Sequence, residues 1–378
     1  MKTRFILLLS IALCFAVSCS KPEAERRDRI PSMGLVFAFG DSHDASINHS
    51  VYEGLLNMLR DYKGHIEGAP DRSYGPDFSI KIVEPGSQQG NRAELLRSLA
   101  RQDHDIVVAI GYLFSDSIMA ITREFPDVNF VLLDGSVPDL DKNSNLLCVS
   151  FEEQEGSFII GAYAAMYAQA RSQEQEQRIA FIGAMDSPNT RRYYSGFAAG
   201  AAYVNPAFRA PGSILSAYVS KDSSGFYDKV KAATLASVLY KEGHASVIYG
   251  VAGTAGPAMA EVANRLGAKL IGSDIDLKAY LSGSSAEQKN ASAIIASMLK
   301  RADRAIYAMA PVLFGREPFV GGYKVYNLSD AGLGYISDII SEEDMLKLSA
   351  FSKQIATGSI VVPEGEEALQ KFIANLQK

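Results

Sequence analysis

The chain has 378 residues, of which 47% are hydrophobic, and it carries a formal net charge of -6. This length is about twice that of a usual domain, so it predicts two lobes with separate cores. An acidic chain without clustered Lys and Arg argues against a nucleic-acid-binding surface, and three cysteines are too few for a disulfide framework or a cysteine metal site.

The N-terminal residues predict a secretory lipoprotein signal. Two basic residues precede the apolar run Phe5 to Val17, which is too short to span a membrane, and small residues precede Cys19. We expect residues 1–19 to be the signal peptide, Cys19 to be lipidated, and the polar residues 20–33 to be a disordered tether. A simple cleaved signal is the alternative. The predicted location is the bacterial cell envelope, facing the periplasm or the exterior.

The next part of the chain alternates short apolar strands with helices. Each predicted strand is an unbroken run of mainly apolar residues, which is typical of strands covered by helices on both faces. The predicted strands are Leu35–Phe39, Ser79–Val83, Ile106–Ile110, Asn129–Leu133 and Leu146–Phe151, with helices at Ser50–Arg60, at Arg92–Leu99 and between Gly111 and Pro126.

Ligands of open α/β sheets bind beyond the carboxyl ends of the strands. Asp116 follows one such end, so we expect it to point into a crevice, although Ser115 and Asp116 are also placed to cap a helix.

The second half repeats this plan. After a helix at Glu152–Ala168, strands are predicted at Ile179–Gly183, Ile214–Val219, Ser246–Val251 and Lys269–Gly272, followed by a long helix at Ala291–Phe314 and an antiparallel hairpin at Phe319–Tyr335. The predicted lobes are residues 34–149 with 275–318, and residues 150–274 with 319–378. No transmembrane helix is predicted after the signal.

Motifs for catalysis are missing from the sequence. The run GVAGTAG at Gly250–Gly256 lacks both the P-loop ending and the dinucleotide-binding spacing, and favours a tight turn near a neutral ligand. The five histidines lack zinc-ligand spacing, and no nucleophile elbow occurs. We therefore predict neither an enzyme nor a metal or cofactor site.

Several fragments, in their order and spacing, resemble the basic membrane protein family, the substrate-binding lipoproteins of ABC transporters that include purine-nucleoside receptors. The resemblance covers nearly the whole chain after the signal. Its fragments are DASINHSVYEG from Asp44, GYLFSDS from Gly111, FEEQEGSFIIGAYAA from Phe151, FIGAMD from Phe181, SGFAAGAAYVNP from Ser195, GVAGTAG from Gly250, IGSDID from Ile271 and SMLKRAD from Ser297.

This resemblance implies an α/β, type I periplasmic-binding-protein fold, in which two doubly wound lobes joined by three crossovers close on a ligand. It also implies that Asp116 hydrogen-bonds a base and that Asp274 and Lys300 contact a sugar. Asp44 and Asn48 belong to the first-loop motif, although turn and cap roles for them stay open. The fragments FIGAMD and GVAGTAG add Asp186 and Gly253 to the candidate ligand-binding residues.

Three positions depart from the family pattern. Ala38 stands where the family has a ligand acid, and Ile47 and Asp222 stand where it has aromatic residues. Phe39 or Tyr112 is a possible replacement for one ring, and Phe226 or Tyr227 for the other.

The resemblance and the leader together predict a lipid-anchored receptor that captures a small polar metabolite, with a nucleoside favoured, for an ABC permease. A sugar receptor, or a surface lipoprotein with a degenerate pocket that binds macromolecules, is the alternative.

Overall fold

The computed structural model describes residues 29–86, 91–171 and 178–377. The predicted signal, Cys19 and most of the tether lie outside these residues. In chain order the strands are β1 (Ser32–Phe37), β2 (Gly64–Ile66), β3 (Ala69–Ser73), β4 (Phe78–Val83), β5 (Ile106–Ile110), β6 (Asn129–Leu133), β7 (Leu146–Phe151), β8 (Ile179–Met185), β9 (Ile214–Ser220), β10 (Val247–Val251), β11 (Lys269–Gly272), β12 (Ile294–Lys300), β13 (Gly322–Tyr326) and β14 (Leu333–Ile336).

Twelve α-helices are present in the same residues. They are α1 (Ile47–Tyr62), α2 (Arg92–Ala100), α3 (Ser115–Glu124), α4 (Glu153–Gln169), α5 (Pro188–Val204), α6 (Lys229–Lys241), α7 (Gly256–Leu266), α8 (Leu277–Ser282), α9 (Ala302–Tyr307), α10 (Ala310–Leu313), α11 (Glu342–Ala356) and α12 (Glu366–Asn375). No helix in the described parts of the chain has the length and apolarity needed to cross a membrane.

The strands form two sheets of mainly parallel strands, one in each lobe. The first has the order β13-β7-β6-β5-β1-β4-β2-β3, and the second has the order β14-β12-β11-β10-β8-β9. In β5, Val108 joins one buried cluster while Val107 and Ala109 join the other. Because successive strand side chains point to opposite faces, this split means that both faces of the sheet are covered.

The chain passes between the lobes at three points. It leaves the first sheet after β7, since α4 packs against α5, and it returns after β12, since α9 packs against α1. It then crosses once more between β13 and β14, which belong to different sheets. The predicted architecture of two doubly wound lobes with three crossovers is confirmed.

Two predicted elements and the lobe boundaries that depended on them are wrong. The run expected to be one long helix at 291–314 contains β12, because a short apolar run alone does not distinguish a buried strand from a helix. The expected hairpin is absent, since β13 pairs with β7 in parallel and β14 pairs with β12 in the other sheet. Residues 294–300 therefore belong to the second lobe and residues 322–326 to the first. The first strand also begins at Ser32 and so includes the last two residues of the predicted tether.

Candidate functional site

A cavity lies between the lobes, where the carboxyl ends of the central strands of both sheets meet. The first lobe lines it with Phe39, Ser46, Ile47, Asn48, Ile110, Gly111, Tyr112 and Asp134, and the second with Asn189, Thr190, Tyr193, Phe226, Val251, Gly253, Asp274 and Lys300. Its volume is about 30 Å³, whereas small-molecule sites usually offer roughly 300 Å³ or more. The lobes are thus closed on each other, and a metabolite needs them to part.

A larger groove, of about 330 Å³, lies elsewhere on the second lobe, between α8 and β14. Its rim carries one ion pair, Lys278 Nζ to Asp338 Oδ2 at 2.5 Å, at the protein surface. Polar groups from both lobes converge in the inter-lobe cavity, whereas the groove is lined by the second lobe, so we assign the site to the cavity.

One side of the cavity is aromatic and combines a ring from each lobe. Phe39 follows β1, and Phe226 ends a short 3-10 helix after β9. Their rings stack with centroids 4.7 Å apart and planes 20° apart, while Tyr112 meets the edge of Phe226 at 6.3 Å. Gly253 has φ +52°, and a Cβ there would lie 3.3 Å from Phe226 Cδ1. A side chain at this position would therefore press against the Phe226 ring.

The other side is a buried group of charges centred on Lys300, at the end of β12. Its Nζ donates to Asp134 Oδ1 at 2.7 Å and Glu153 Oε1 at 3.0 Å, and lies 3.9 Å from Asp274 Oδ1. The hydroxyl of Tyr193 donates to the same Asp274 oxygen at 2.8 Å. Asp134 belongs to the first lobe and the other residues to the second, so this group joins the lobes. We call Asp134, Glu153, Asp274 and Lys300 the charge cluster.

Burial and the neighbouring charges together set the protonation of these groups. It raises the pKa of Asp134 to about 6, against the opposing effect of the Lys300 ammonium. Burial lowers the pKa of Lys300, but the neighbouring carboxylates outweigh it and the pKa stands above its ordinary value. Burial also raises the pKa of Tyr193. At neutral pH Lys300 is therefore a cation and Tyr193 a neutral donor.

Both carboxylates that line the cavity stand in left-handed backbone. Asp134 has φ +66° and Asp274 has φ +69°. This region is unfavourable for most residues but is tolerated by Asp and Asn. The two residues follow β6 and β11, which hold equivalent positions in the two sheets. Each lobe thus aims an Asp into the cavity from the same place in its fold.

Of the nine predicted ligand-binding residues, six line the cavity, namely Phe39, Asn48, Tyr112, Gly253, Asp274 and Lys300, and the predicted replacement ring Phe226 lines it too. Asp44 lies behind the lining and fastens its loop, accepting from Asn48 Nδ2 at 2.9 Å, from the Asp41 amide at 3.1 Å and from the Ser46 hydroxyl. Asn48 in turn donates to the Phe39 carbonyl at 2.8 Å. Burial raises the pKa of Asp44 to about 6.

Asp116 and Asp186 lie outside the cavity lining. Asp116 is exposed in the first turn of α3, because the 3-10 helix Tyr112–Phe114 intervenes after β5 and directs Tyr112 inward instead. Neither Ser115 nor Asp116 caps α3 with its side chain. Asp186 is exposed and pairs with Arg191 at 2.6 Å. The geometry therefore does not support the predicted ligand roles of Asp116 and Asp186.

Sequence reasoning missed Asp134, Glu153 and Tyr193. Asp134 carried a signal, since it follows a predicted strand just as Asp274 does. Glu153 and Tyr193 stand within helices, where nothing in the sequence separates them from packing residues.

Among the departures from the family pattern, Ile47 lines the cavity, Ala38 is buried, and Asp222 caps the 3-10 helix that carries Phe226. Within the described residues no group of His, Cys, Asp and Glu is arranged to hold a metal ion.

Comparisons with known proteins agree with this fold. Residues 32–366 match the family described as ABC transporter substrate-binding protein PnrA-like. Basic membrane protein C of Borreliella burgdorferi is 26% identical over 391 residues, covering 99% of both chains, and the CD4+ T-cell-stimulating antigen of Listeria monocytogenes is 25% identical over 96% of this chain and 99% of its own.

Among solved structures, an ABC transporter solute-binding protein from Aeropyrum pernix superposes with a TM-score of 0.72 at 21% identity, covering 92% of this chain and 98% of that one. The periplasmic-binding-protein fold is confirmed. Family and fold are those of solute-binding proteins, which are not enzymes. The chain belongs to the family of PnrA-like ABC transporter substrate-binding proteins.

Proposed function

We propose that this receptor binds a nucleoside between its lobes and presents it to an ABC permease. The observation that carries the proposal is one cavity with two kinds of wall. Phe39 and Phe226 offer flat apolar faces from opposite lobes, and Asp134, Asp274 and Lys300 offer polar groups beside them. A nucleoside has the matching parts, a flat base and a sugar rich in hydroxyl groups.

Binding begins with the lobes apart, because the two rings now contact each other. A base inserted between them would replace one ring contact by two, each worth about 0.5 to 1.5 kcal/mol beyond the burial of apolar area. Sugar hydroxyls would donate to Asp274 and accept from Lys300. Hydrogen bonds to charged groups contribute about 1.5 to 3 kcal/mol each when closure shields them from water.

The proposed location follows from the predicted leader. A lipid on Cys19 would hold the receptor on a membrane of the bacterial envelope, and the chain between Cys19 and β1 would serve as a tether. Radiolabelled fatty-acid incorporation into the wild type, with Cys19→Ser as the control, tests the anchor. Equal labelling of both proteins would contradict it.

Titration calorimetry tests the ligand. The mature protein is unfolded, dialysed and refolded to remove bound metabolites, then titrated with nucleosides, free nucleobases and sugars. We expect nucleosides to bind more tightly than either of their parts, since only they occupy both walls. Binding of sugars alone would favour a sugar receptor. No measurable binding of nucleosides, nucleobases or sugars would favour a pocket without a small-molecule role.

A further inference from the structure

The charge cluster holds more negative than positive charge. Within the second lobe, the Lys300 ammonium is shared by Glu153 at 3.0 Å and Asp274 at 3.9 Å. Asp134 of the first lobe adds a third carboxylate at 2.7 Å, and Lys300 and Glu153 are almost fully buried. Arg192 lies 3.4 Å from the other oxygen of Glu153, but it also pairs with Glu364 at 2.6 Å and so brings no surplus charge.

Closure therefore moves one more carboxylate into a buried cluster that already has more acids than bases. Burying a charge is costly unless it is fully compensated, and one ammonium does not compensate three carboxylates. Uptake of a proton by the incoming carboxylate relieves this imbalance and preserves the hydrogen bond from Lys300 to Asp134, because a protonated carboxyl still accepts through one oxygen.

We propose that Asp134 acts as a positioning residue that takes up a proton when the lobes close, so that mild acid favours the closed state. The proposal goes beyond ligand recognition, since it holds for whichever solute the cavity takes.

The groups that face Asp134 come from five elements. They are Lys300 of β12, Glu153 of α4, Asp274 after β11, Tyr112 of its 3-10 helix and Tyr193 of α5. The pKa values of Lys300 and of both tyrosines are raised, so these three groups keep their protons throughout the mildly acidic range.

The sign follows from the two states of Asp134. Its pKa is about 6 in the closed structure and falls towards the ordinary value of about 3.9 when opening exposes it to water. The closed state then binds more protons than the open state at mildly acid pH, so closure strengthens as the pH falls through about 6 and weakens as it rises. Between about pH 7.5 and about pH 5.5 the closing equilibrium constant should increase about fourfold.

Single-molecule energy transfer on the ligand-free protein tests the proposal without any assumption about the solute. Dyes are placed on Asp71→Cys of the first lobe and Lys241→Cys of the second, both exposed and both far along the chain from the crossovers. The closed fraction is measured at about pH 7.5 and about pH 5.5. Between the two pH values we expect the closing equilibrium constant to increase about fourfold more in the wild type than in Asp134→Asn.

Two other groups are controlled in the same experiment. Asp44→Asn removes a buried carboxylate whose raised pKa gives it a similar range, but whose hydrogen-bond partners lie in its own loop, and it should keep the wild-type response. Burial lowers the pKa of His49, so its protonation would oppose closure. The difference between wild type and Asp134→Asn isolates Asp134 from this background.

An unchanged pH response in Asp134→Asn would overturn the proposal, and so would a wild type whose closed fraction ignores pH. Should Asp134→Asn fail to fold, Asp134→Ser takes its place with the same expected loss of response. If no nucleoside binds but these shifts occur, the proposed ligand fails while the proton coupling stands.

Discussion

The two lobes have one strand plan but unequal charge at the cavity. Read from β7 and from β12, five successive strands of the two sheets correspond, and each lobe places an Asp after the second strand of this order. The edge strands beside them differ, because β13 runs parallel to β7 whereas β14 runs antiparallel to β12. The strands that begin this order end in different residues, since β12 ends in Lys300 whereas its counterpart β7 ends in Phe151. The Phe151 ring lies 5.4 Å from Lys300 Nζ. Repetition of the fold therefore supplies the carboxylate twice and the ammonium once.

The largest effect should come from removing that single ammonium. Lys300→Met leaves Asp134, Glu153 and Asp274 buried without a cation, and breaking a buried ion pair in this way usually costs about 3 to 5 kcal/mol. Urea unfolding at neutral pH measures the loss in the free energy of unfolding. Lys371→Met, on the exposed face of α12, is the matched control and should stay within about 0.5 kcal/mol of the wild type. Equal stability of the two variants would show that the charge cluster is solvated.

A second comparison uses the glycines that open equivalent loops. Gly111 follows β5 with φ +106°, and Gly253 follows the equivalent strand β10 with φ +52°. Gly111→Ala and Gly253→Ala should each lower the free energy of unfolding by about 1 to 2 kcal/mol, since left-handed backbone disfavours a Cβ. Gly256→Ala, whose Cβ would meet nothing closer than 4.0 Å, should be neutral or stabilising. If only one of the two loop variants lowered the free energy of unfolding, the two loops would not be structurally equivalent.

The paired rings should contribute equally to affinity from the two lobes. Phe39→Leu and Phe226→Leu each keep apolar volume but remove an aromatic face, so the affinity for a purine nucleoside should fall by about 0.5 to 1.5 kcal/mol in calorimetry. Tyr227→Leu changes a neighbouring ring that is 42% exposed and should leave the affinity unaltered. If the affinity fell in only one of the two Phe variants, the base would stack on the ring of that lobe alone.

The smallest effect concerns the two acids outside the lining. Asp116→Asn and Asp186→Asn should each keep the nucleoside affinity within about twofold of the wild type, since a surface substitution away from the site contributes within about 0.5 kcal/mol. A tenfold loss in Asp116→Asn would return this residue to the site and would imply a different closed arrangement of the lobes.

The sequence was sufficient where elements are local. Buried runs such as Ile106–Ile110 and Lys269–Gly272 have the predicted bounds, because an unbroken apolar run between polar residues reads as a covered strand. It was insufficient at 294–300, where the same kind of run also suits a helix. The lobe to which residues 294–300 and 322–326 belong depends on the order of the strands in the sheets. That order could not be predicted, because pairing between residues distant in the chain leaves no local signal in the sequence.

The candidate site shows the same limit. Asp274 and Lys300 were found because they fall in fragments with family likeness. Glu153 and Tyr193 were missed because their role depends on the packing of α4 and α5 against the second sheet, which brings them to Lys300 and Asp274. Asp116 was misplaced because a single turn of 3-10 helix rotates the residues that follow β5. Whether a polar residue lines the cavity depends on its burial and its contacts in the folded chain, and the periodicity of the sequence contains neither.

A crystal structure of the protein with a purine nucleoside such as inosine tests the central claim most directly. The account predicts density for the base between the rings of Phe39 and Phe226, with the sugar hydroxyls against Asp274 and Lys300. Density for the nucleoside at any other place, with the two rings still stacked on each other, would contradict it.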